Sequence, residues 1–338
     1  MSQVDELRAT ISPTPTSDIV VTYRGRTHRV LLKFEQFNAT GSVKDRTAAG
    51  LLIAMDWQSR LTPGTVVVES TSGNLGLALS HLLSLVDCRL IAVIDPKTPA
   101  ETARSLAAAG VEVIKVDTPD GHGGYLLTRL RTVAELCRAN PDYRWSDQYS
   151  NQASPWIHRR TTGPEIADQA GPGLDAVYVA VSTGGTLAGV SAHLRDLDGA
   201  VRIVAVDSVG SLATGGAAGG RRLLTGIGSS QSSTFLGPGS YDQASAVADV
   251  DAIAMCRLFL ADTAISMGGS SGCVLSACLR DLASDTPPRT PLCLCPDSGD
   301  KYASTVYDDA WLRRSGIADD VGHRIERLRA DGLTFRNG

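Results

Sequence analysis

Short apolar runs rich in Val, Ile and Ala alternate with segments of helical period along most of this chain, and Ser/Thr/Gly loops stand at several of the junctions. Strands are expected at residues 65–69, 89–94, 111–116, 176–181, 202–207 and 291–295. Between and after them the apolar spacing predicts helices at about 43–60, 75–86, 100–109, 124–138, 187–194, 250–262 and 273–285. Strands that alternate with crossover helices, and that lack polar alternation of their own, belong in parallel sheets covered on both faces. Ahead of this pattern, residues 20–35 read as two short strands around the turn Arg24-Gly25. Residues 140–155 are irregular and mark a change of lobe, residues 215–220 read as a mobile glycine-rich loop, and the polar tail after residue 317 is weakly specified. No internal repeat of 20–50 residues is present.

At 338 residues, 43% hydrophobic and 20% charged, the chain is too long for most single cores, and two α/β lobes are expected. A formal charge of -4, with both signs mixed along the length, provides no footprint for nucleic acid or an anionic membrane, which favours a small-molecule partner. The N-terminus lacks the basic-then-apolar layout of a signal peptide and no apolar run is long enough to cross a bilayer, so a cytoplasmic protein is expected. Seven scattered cysteines without a CxxC pair or zinc spacing read as reduced, mostly buried thiols, and no metal site is expected.

Three loops carry candidate chemistry. Ser182-Thr183-Gly184-Gly185-Thr186 lies between a strand and a helix, where backbone N–H groups and hydroxyls converge on an anion at a helix N-terminus. Its spacing is neither GxGxxG nor GxxxxGK[ST], which leaves dinucleotide and P-loop readings without their own signature. Ser70-Thr71-Ser72-Gly73-Asn74 is a second such loop, with donors suited to a carboxylate, and Gly268-Gly269-Ser270-Ser271-Gly272 is a third. Each alone reads equally as a cap or tight turn. Together, at carboxyl ends of strands, they share the crevice where open α/β sheets bind ligands. Lys44 stands in a first helical turn, where a lysine is usually a solvated charge; there the helix dipole disfavours the ammonium and favours the nucleophilic free amine.

These loops, with Asn38-Ala39-Thr40-Gly41-Ser42-Val43-Lys44-Asp45-Arg46, resemble in order and spacing the cysteine synthase/cystathionine β-synthase family of fold-type II pyridoxal-phosphate (PLP) enzymes, over about residues 30–312. The resemblance implies a tryptophan synthase β-like α/β fold: two lobes with twisted, mainly parallel sheets flanked by helices. Residues 1–46 and 151–338 would form the large cofactor-binding domain and residues 47–150 a small mobile domain that closes on substrate. It further implies that Lys44 forms the Schiff base with PLP and that Asn74 hydrogen-bonds the cofactor's phenolic oxygen. Ser182, Thr183, Gly184, Gly185 and Thr186 would hold the cofactor phosphate, and Ser270 would face the pyridine nitrogen. Ser70, Thr71, Ser72 and Gln148 would bind the substrate carboxylate. Such enzymes are usually homodimers acting on small amino-acid substrates. Two departures stand out: Ala39 replaces a usual proline, and Leu75 stands where cysteine synthases commonly have threonine. A neutral serine at the ring nitrogen makes a weaker electron sink than an aspartate would, which disfavours transamination and suits β-replacement.

Leu75, Tyr149 after Gln148, and Ser182 look like the subgroup that joins O-phospho-L-serine and L-glutamate on the way to 2,3-diaminopropionate for siderophores or peptide antibiotics. A phosphate leaving group calls for a cation. Arg129 and Arg131 flank the apolar stripe of their helix on opposite sides, and periodicity does not choose between them. The subgroup resemblance favours Arg129, with Tyr149 and Ser182, as phosphate ligands. Cysteine synthase, a serine/threonine dehydratase and a cofactor-free binding protein on the same fold are the alternatives.

Overall fold

The computed structural model describes residues 3–338 apart from Ser72, His122, Gly123, Asp198, Gly199, Ala218 and Gly220. A short helix α1 (Gln3–Ala9) leads into the antiparallel hairpin β1 (Thr16–Tyr23) and β2 (Arg26–Phe34). Its turn residues, Arg24 at φ 49° and Gly25 at φ 73°, have the left-handed backbone whose twist matches the flanking strands. Strands and helices then alternate: α2 (Lys44–Trp57), β3 (Val66–Ser70), α3 (Asn74–Leu85), β4 (Arg89–Ile94), α4 (Ala100–Ala108), β5 (Glu112–Lys115) and α5 (Leu126–Ala139). After β6 (Arg144–Trp145), α6 (Ala153–Arg160) and α7 (Thr162–Ala170), the pattern resumes with β7 (Ala176–Ala180), α8 (Gly185–Asp196), β8 (Arg202–Ser208) and β9 (Gln243–Val247). Next come α9 (Asp249–Thr263), α10 (Gly269–Leu282), β10 (Pro291–Cys295), α11 (Asp309–Ser315), α12 (Ala318–Ala330) and β11 (Thr334–Asn337).

The strands form two sheets. The larger runs β11-β1-β2-β10-β7-β8-β9 and the smaller β5-β4-β3-β6. Every pairing is parallel except the two made by β1, with β2 and with β11. The central strands are buried on both faces, which is why residues 66–68 and Pro291–Cys295 read as apolar runs with little alternation. One face of the larger sheet packs on α9 and α10 through Ile253, Phe259, Val274 and Cys278, and the other on α7 and α8 through Ile166, Leu187 and Val190.

Two sequence expectations need correction. The stretch 140–155 holds β6 and the start of α6, and α7 follows it; Pro155 sits in the first turn of α6, where its missing N–H has no intrahelical partner to lose. The tail after residue 317 is ordered: α12 packs on α9 through Val321 and Leu328, and β11 pairs with β1 while Phe335 stacks edge-on against Phe259 at 5.2 Å. Residues 211–236 are irregular backbone, and two positions of the expected mobile loop, Ala218 and Gly220, lie outside the described residues. All seven cysteines are free thiols and all but the half-buried Cys137 are buried. Among the described residues no helix is long and apolar enough to cross a membrane and no cluster of His, Cys, Asp or Glu could hold a metal ion.

Candidate active site

Lys44 opens α2, as its spacing predicts, and the turn before it is pinned from several sides. The Asp45 carboxylate accepts from the Thr40 N–H at 3.0 Å, the Thr40 hydroxyl at 2.8 Å and the Ser42 N–H at 3.3 Å. The Val43 N–H donates to Pro296 O at 2.8 Å, and Ser42 bridges to Asp297, so the turn is tied to the carboxyl end of β10. Among the described residues the Lys44 ammonium has no hydrogen-bond partner. Burial pulls its pKa down to about 8, partly opposed by the nearby Asp297 carboxylate.

Lys44 lies in a cavity whose walls come from segments just past the ends of β3, β4, β7 and β10 and from the starts of α3, α8 and α10. Thr71, Asn74, Arg129, Gln148, Tyr149, Ser182, Thr183, Gly184, Thr186 and Ser270 all line this same space. Ser70 and Gly185 sit behind the wall, and Ser72 lies outside the described residues. Ser70 ends β3 fully buried; its carbonyl accepts from Gln148 Nε2 at 2.8 Å, so it supports Gln148 from beneath. Gly184, at φ 93°, caps α8 in a left-handed backbone that a side chain would strain. A Cβ on Gly185 would lie 2.0 Å from Ser154 Oγ, so its glycine identity answers to packing against α6, while the loop's free N–H groups point along the start of α8.

Burial distinguishes the two arginines that periodicity left equal. Arg131 is exposed, whereas Arg129 is 6% exposed, with Nε 3.1 Å from Asp95 Oδ2 and its charge acting on the Tyr149 hydroxyl. Burial raises the Tyr149 pKa, opposed by the Arg129 charge, so the phenol is a neutral donor at ordinary pH. Ser182 Oγ donates to Gly228 O at 3.2 Å.

Several site residues escaped sequence reasoning. Asn74 donates to Asp297 Oδ2 at 2.7 Å and accepts from Lys301 Nζ at 2.6 Å; Lys301 also donates to Thr40 O at 2.9 Å, and Tyr302 donates to Asp297 at 2.5 Å. The run Pro296-Asp297-Ser298-Gly299-Asp300-Lys301-Tyr302, turn chemistry directly after an apolar strand, was the available signal. The segment from Arg222 to Ser230 also lines the cavity, and its signal was Gly226-Ile227-Gly228, both glycines having positive φ.

Beneath the site, the fully buried Glu69 joins the two loops that carry Thr71 and Gln148. It accepts from the Ser70 N–H at 2.8 Å, the Ser146 hydroxyl at 2.5 Å and the Gln148 N–H at 3.2 Å. Burial raises its pKa to about 7 against those three donors. A carboxamide has one acceptor oxygen for these donors and turns an NH2 toward one of them. Glu69→Gln should therefore raise the donor-substrate KM about tenfold, on the order of 1–2 kcal/mol, while PLP content of the purified protein is retained. Unchanged donor KM in titrations of the variant would remove Glu69 from this role.

Known proteins match this geometry. Residues 7–297 match the family model described as "Pyridoxal-phosphate dependent enzyme". The chain belongs to that family. It is 38% identical over 304 residues, 90% of each chain, to an N-(2-amino-2-carboxyethyl)-L-glutamate synthase of Ralstonia nicotianae. To the protein of that name from Cupriavidus metallidurans it is 37% identical over 289 residues, 84% of each chain. Among solved structures, an O-ureido-L-serine synthase superposes with TM-score 0.80 at 29% identity, over 92% of this chain and 98% of that one. A hydrogen sulfide-producing enzyme of Fusobacterium nucleatum does so with TM-score 0.83 at 25% identity, over 94% and 96%. The protein is thus a PLP-dependent enzyme with the fold expected for it. The residues present suit the family's cofactor: a lysine amine of lowered pKa, a neutral Ser270 and the N–H-rich start of α8 face one cavity.

Proposed function

We propose that the protein joins O-phospho-L-serine and L-glutamate to give N-(2-amino-2-carboxyethyl)-L-glutamate and phosphate, a step toward L-2,3-diaminopropionate in siderophore or peptide-antibiotic assembly. The observation that carries this reading is Arg129, buried at the cavity wall with the Tyr149 hydroxyl, because an acetyl or carbamoyl leaving group needs no such cation. The two relatives named for that product support it.

PLP, when bound, draws electrons from the substrate α-carbon and so acidifies its α-proton. In this reading Lys44 is its covalent anchor, Asn74 meets its phenolic oxygen, Ser270 its ring nitrogen, and Thr183, Gly184, Gly185 and Thr186 its phosphate, with Ser182 alongside. Thr71, Ser72 and Gln148 hold the substrate carboxylate with support from Ser70. The Lys44 amine takes the α-proton, while Arg129, Tyr149 and Ser182 hold the departing phosphate. The enzyme would work as a cytoplasmic homodimer. Its smaller lobe, residues 47–150, would close over the substrate and keep water from the reactive carbon. Crystals grown with and without O-phosphoserine should differ by a rotation of that lobe, and identical lobe positions would remove closure from the reading.

The direct test crosses O-phosphoserine and O-acetylserine against L-glutamate and sulfide and identifies the products by mass spectrometry. Phosphoserine with glutamate should dominate. Preference for acetylserine and sulfide would make the protein a cysteine synthase, and pyruvate formed without any acceptor would make it a dehydratase.

A further inference from the structure

A second cationic group lines the cavity, and the donor-binding residues do not use it. It comprises Arg222 and Lys97, which line the cavity together with Ser229, Ser230 and Gly124. Arg222 Nη2 donates to Ser230 Oγ at 3.2 Å, and among the described residues no carboxylate lies within ion-pair distance of its guanidinium. Three acidic groups stand near these cations, and each also accepts from other donors. Asp95 pairs with Arg129 and accepts the Lys97 N–H at 2.8 Å. Asp120 accepts the N–H groups of Gly124 at 3.1 Å and Leu127 at 3.3 Å, and Asp249 accepts the Leu223 N–H at 2.5 Å. Lys97 Nζ reaches the Arg222 carbonyl at 3.5 Å, so the two cations share one small region. Burial and the Arg222 charge lower the Lys97 pKa, while the Asp95 and Asp120 carboxylates raise it.

We propose that Arg222, with Lys97 and the Ser230 hydroxyl, binds a carboxylate of the incoming amine and so selects an acidic amino acid as the acceptor. This rests on the reading given above, in which Arg129 serves the donor phosphate. The division is physical: Arg129 is ion-paired to Asp95, whereas the Arg222 guanidinium meets no carboxylate at ion-pair distance among the described residues, and Asp249 acts on it only at longer range.

The test compares wild-type, Arg222→Gln and Arg222→Lys holoenzymes with L-glutamate and its neutral isostere L-glutamine. It also measures the phosphate released from O-phosphoserine before any acceptor is added. Arg222→Gln should raise the glutamate KM about tenfold or more, leave the glutamine KM within about twofold and so collapse the preference between them. The acceptor-free phosphate burst should change less than about threefold, and Arg222→Lys should restore part of the preference. An unchanged glutamate preference would make Arg222 a solvated charge. An equal loss of the phosphate burst would assign it to the donor. Either result overturns the proposal. Failure of the underlying reading shows elsewhere: wild-type enzyme would then give no phosphate burst from O-phosphoserine, and the acceptor assignment would fall with it.

Discussion

Lys44→Ala should lower β-replacement roughly 10³-fold or more and abolish the borohydride-fixed pyridoxyl adduct, because in the proposed function one amine both anchors the cofactor and moves the α-proton. Other lysines are poor substitutes. Lys33 is fully buried, with its ammonium held by Glu165 at 2.7 Å and Thr14 O at 2.6 Å. Lys301 is at the cavity but is spent on Thr40 O, Gly41 O and Asn74 Oδ1. Lys44 alone combines an unbonded Nζ with a pKa lowered to about 8. The pH dependence follows in sign. Only the neutral amine attacks an aldehyde, so the rate at which apoprotein captures PLP should rise with pH through about 8 and level off above it. Asp297 raises the Lys44 pKa, so Asp297→Asn should move the inflection to lower pH. Peptide mapping that finds the adduct on Lys301, or a capture rate flat from pH 6 to 9, would contradict this assignment.

Arg129→Ala should reduce kcat/KM for O-phosphoserine about ten- to a hundredfold, equivalent to about 1.5–3 kcal/mol, and spare whatever turnover O-acetylserine supports. The donor ratio is the informative quantity. Removing Arg129 leaves Asp95, itself 5% exposed, as an uncompensated buried carboxylate, and breaking such a pair costs stability on the order of 3 kcal/mol. A general loss of folded enzyme lowers both donors equally and cancels in the ratio, whereas loss of a phosphate contact does not. Arg131→Ala is the matched control, with an exposed guanidinium on the same helix. Equal loss with both donors in Arg129→Ala would reduce that residue to a structural partner of Asp95.

Much of this site was readable because its parts are local. The Lys44 turn, the loop of Thr71 and Asn74, the loop of Thr183–Thr186 and Ser270 are each short runs of turn and cap chemistry beside an apolar strand or helix. The unread parts are those whose meaning comes from distant partners. Asp297, Lys301 and Tyr302 acquire roles through Asn74 and Thr40, more than 220 residues away in sequence. Choosing Arg129 over Arg131 needed the packing of α5 against β3 and β4, since both flank one apolar stripe. The helix α12 is mostly charged, and its few apolar anchors, Val321, Ile325 and Leu328, become a signal only once α9 is there to receive them. Strand β9, Gln243-Ala244-Ser245-Ala246-Val247, shows almost no apolar run because it is the edge of its sheet, where Ala244 and Ala246 face solvent and only Val247 is buried.

The order of strands in the larger sheet also bears on how the protein is made. The β1–β2 hairpin is completed on one side by β10, with Leu31 paired to Leu292, and on the other by β11, with Ile19 paired to Asn337. On a ribosome adding about 5–20 residues per second, the roughly 260 residues between β2 and β10 take on the order of half a minute to appear. Through that interval both edges of an apolar hairpin wait without their partners, while the smaller sheet, drawn wholly from residues 66–145, can already assemble. The nascent chain therefore spends its synthesis with a finished substrate-side sheet and an exposed hairpin, the state in which a chaperone that shields strand edges has most to protect.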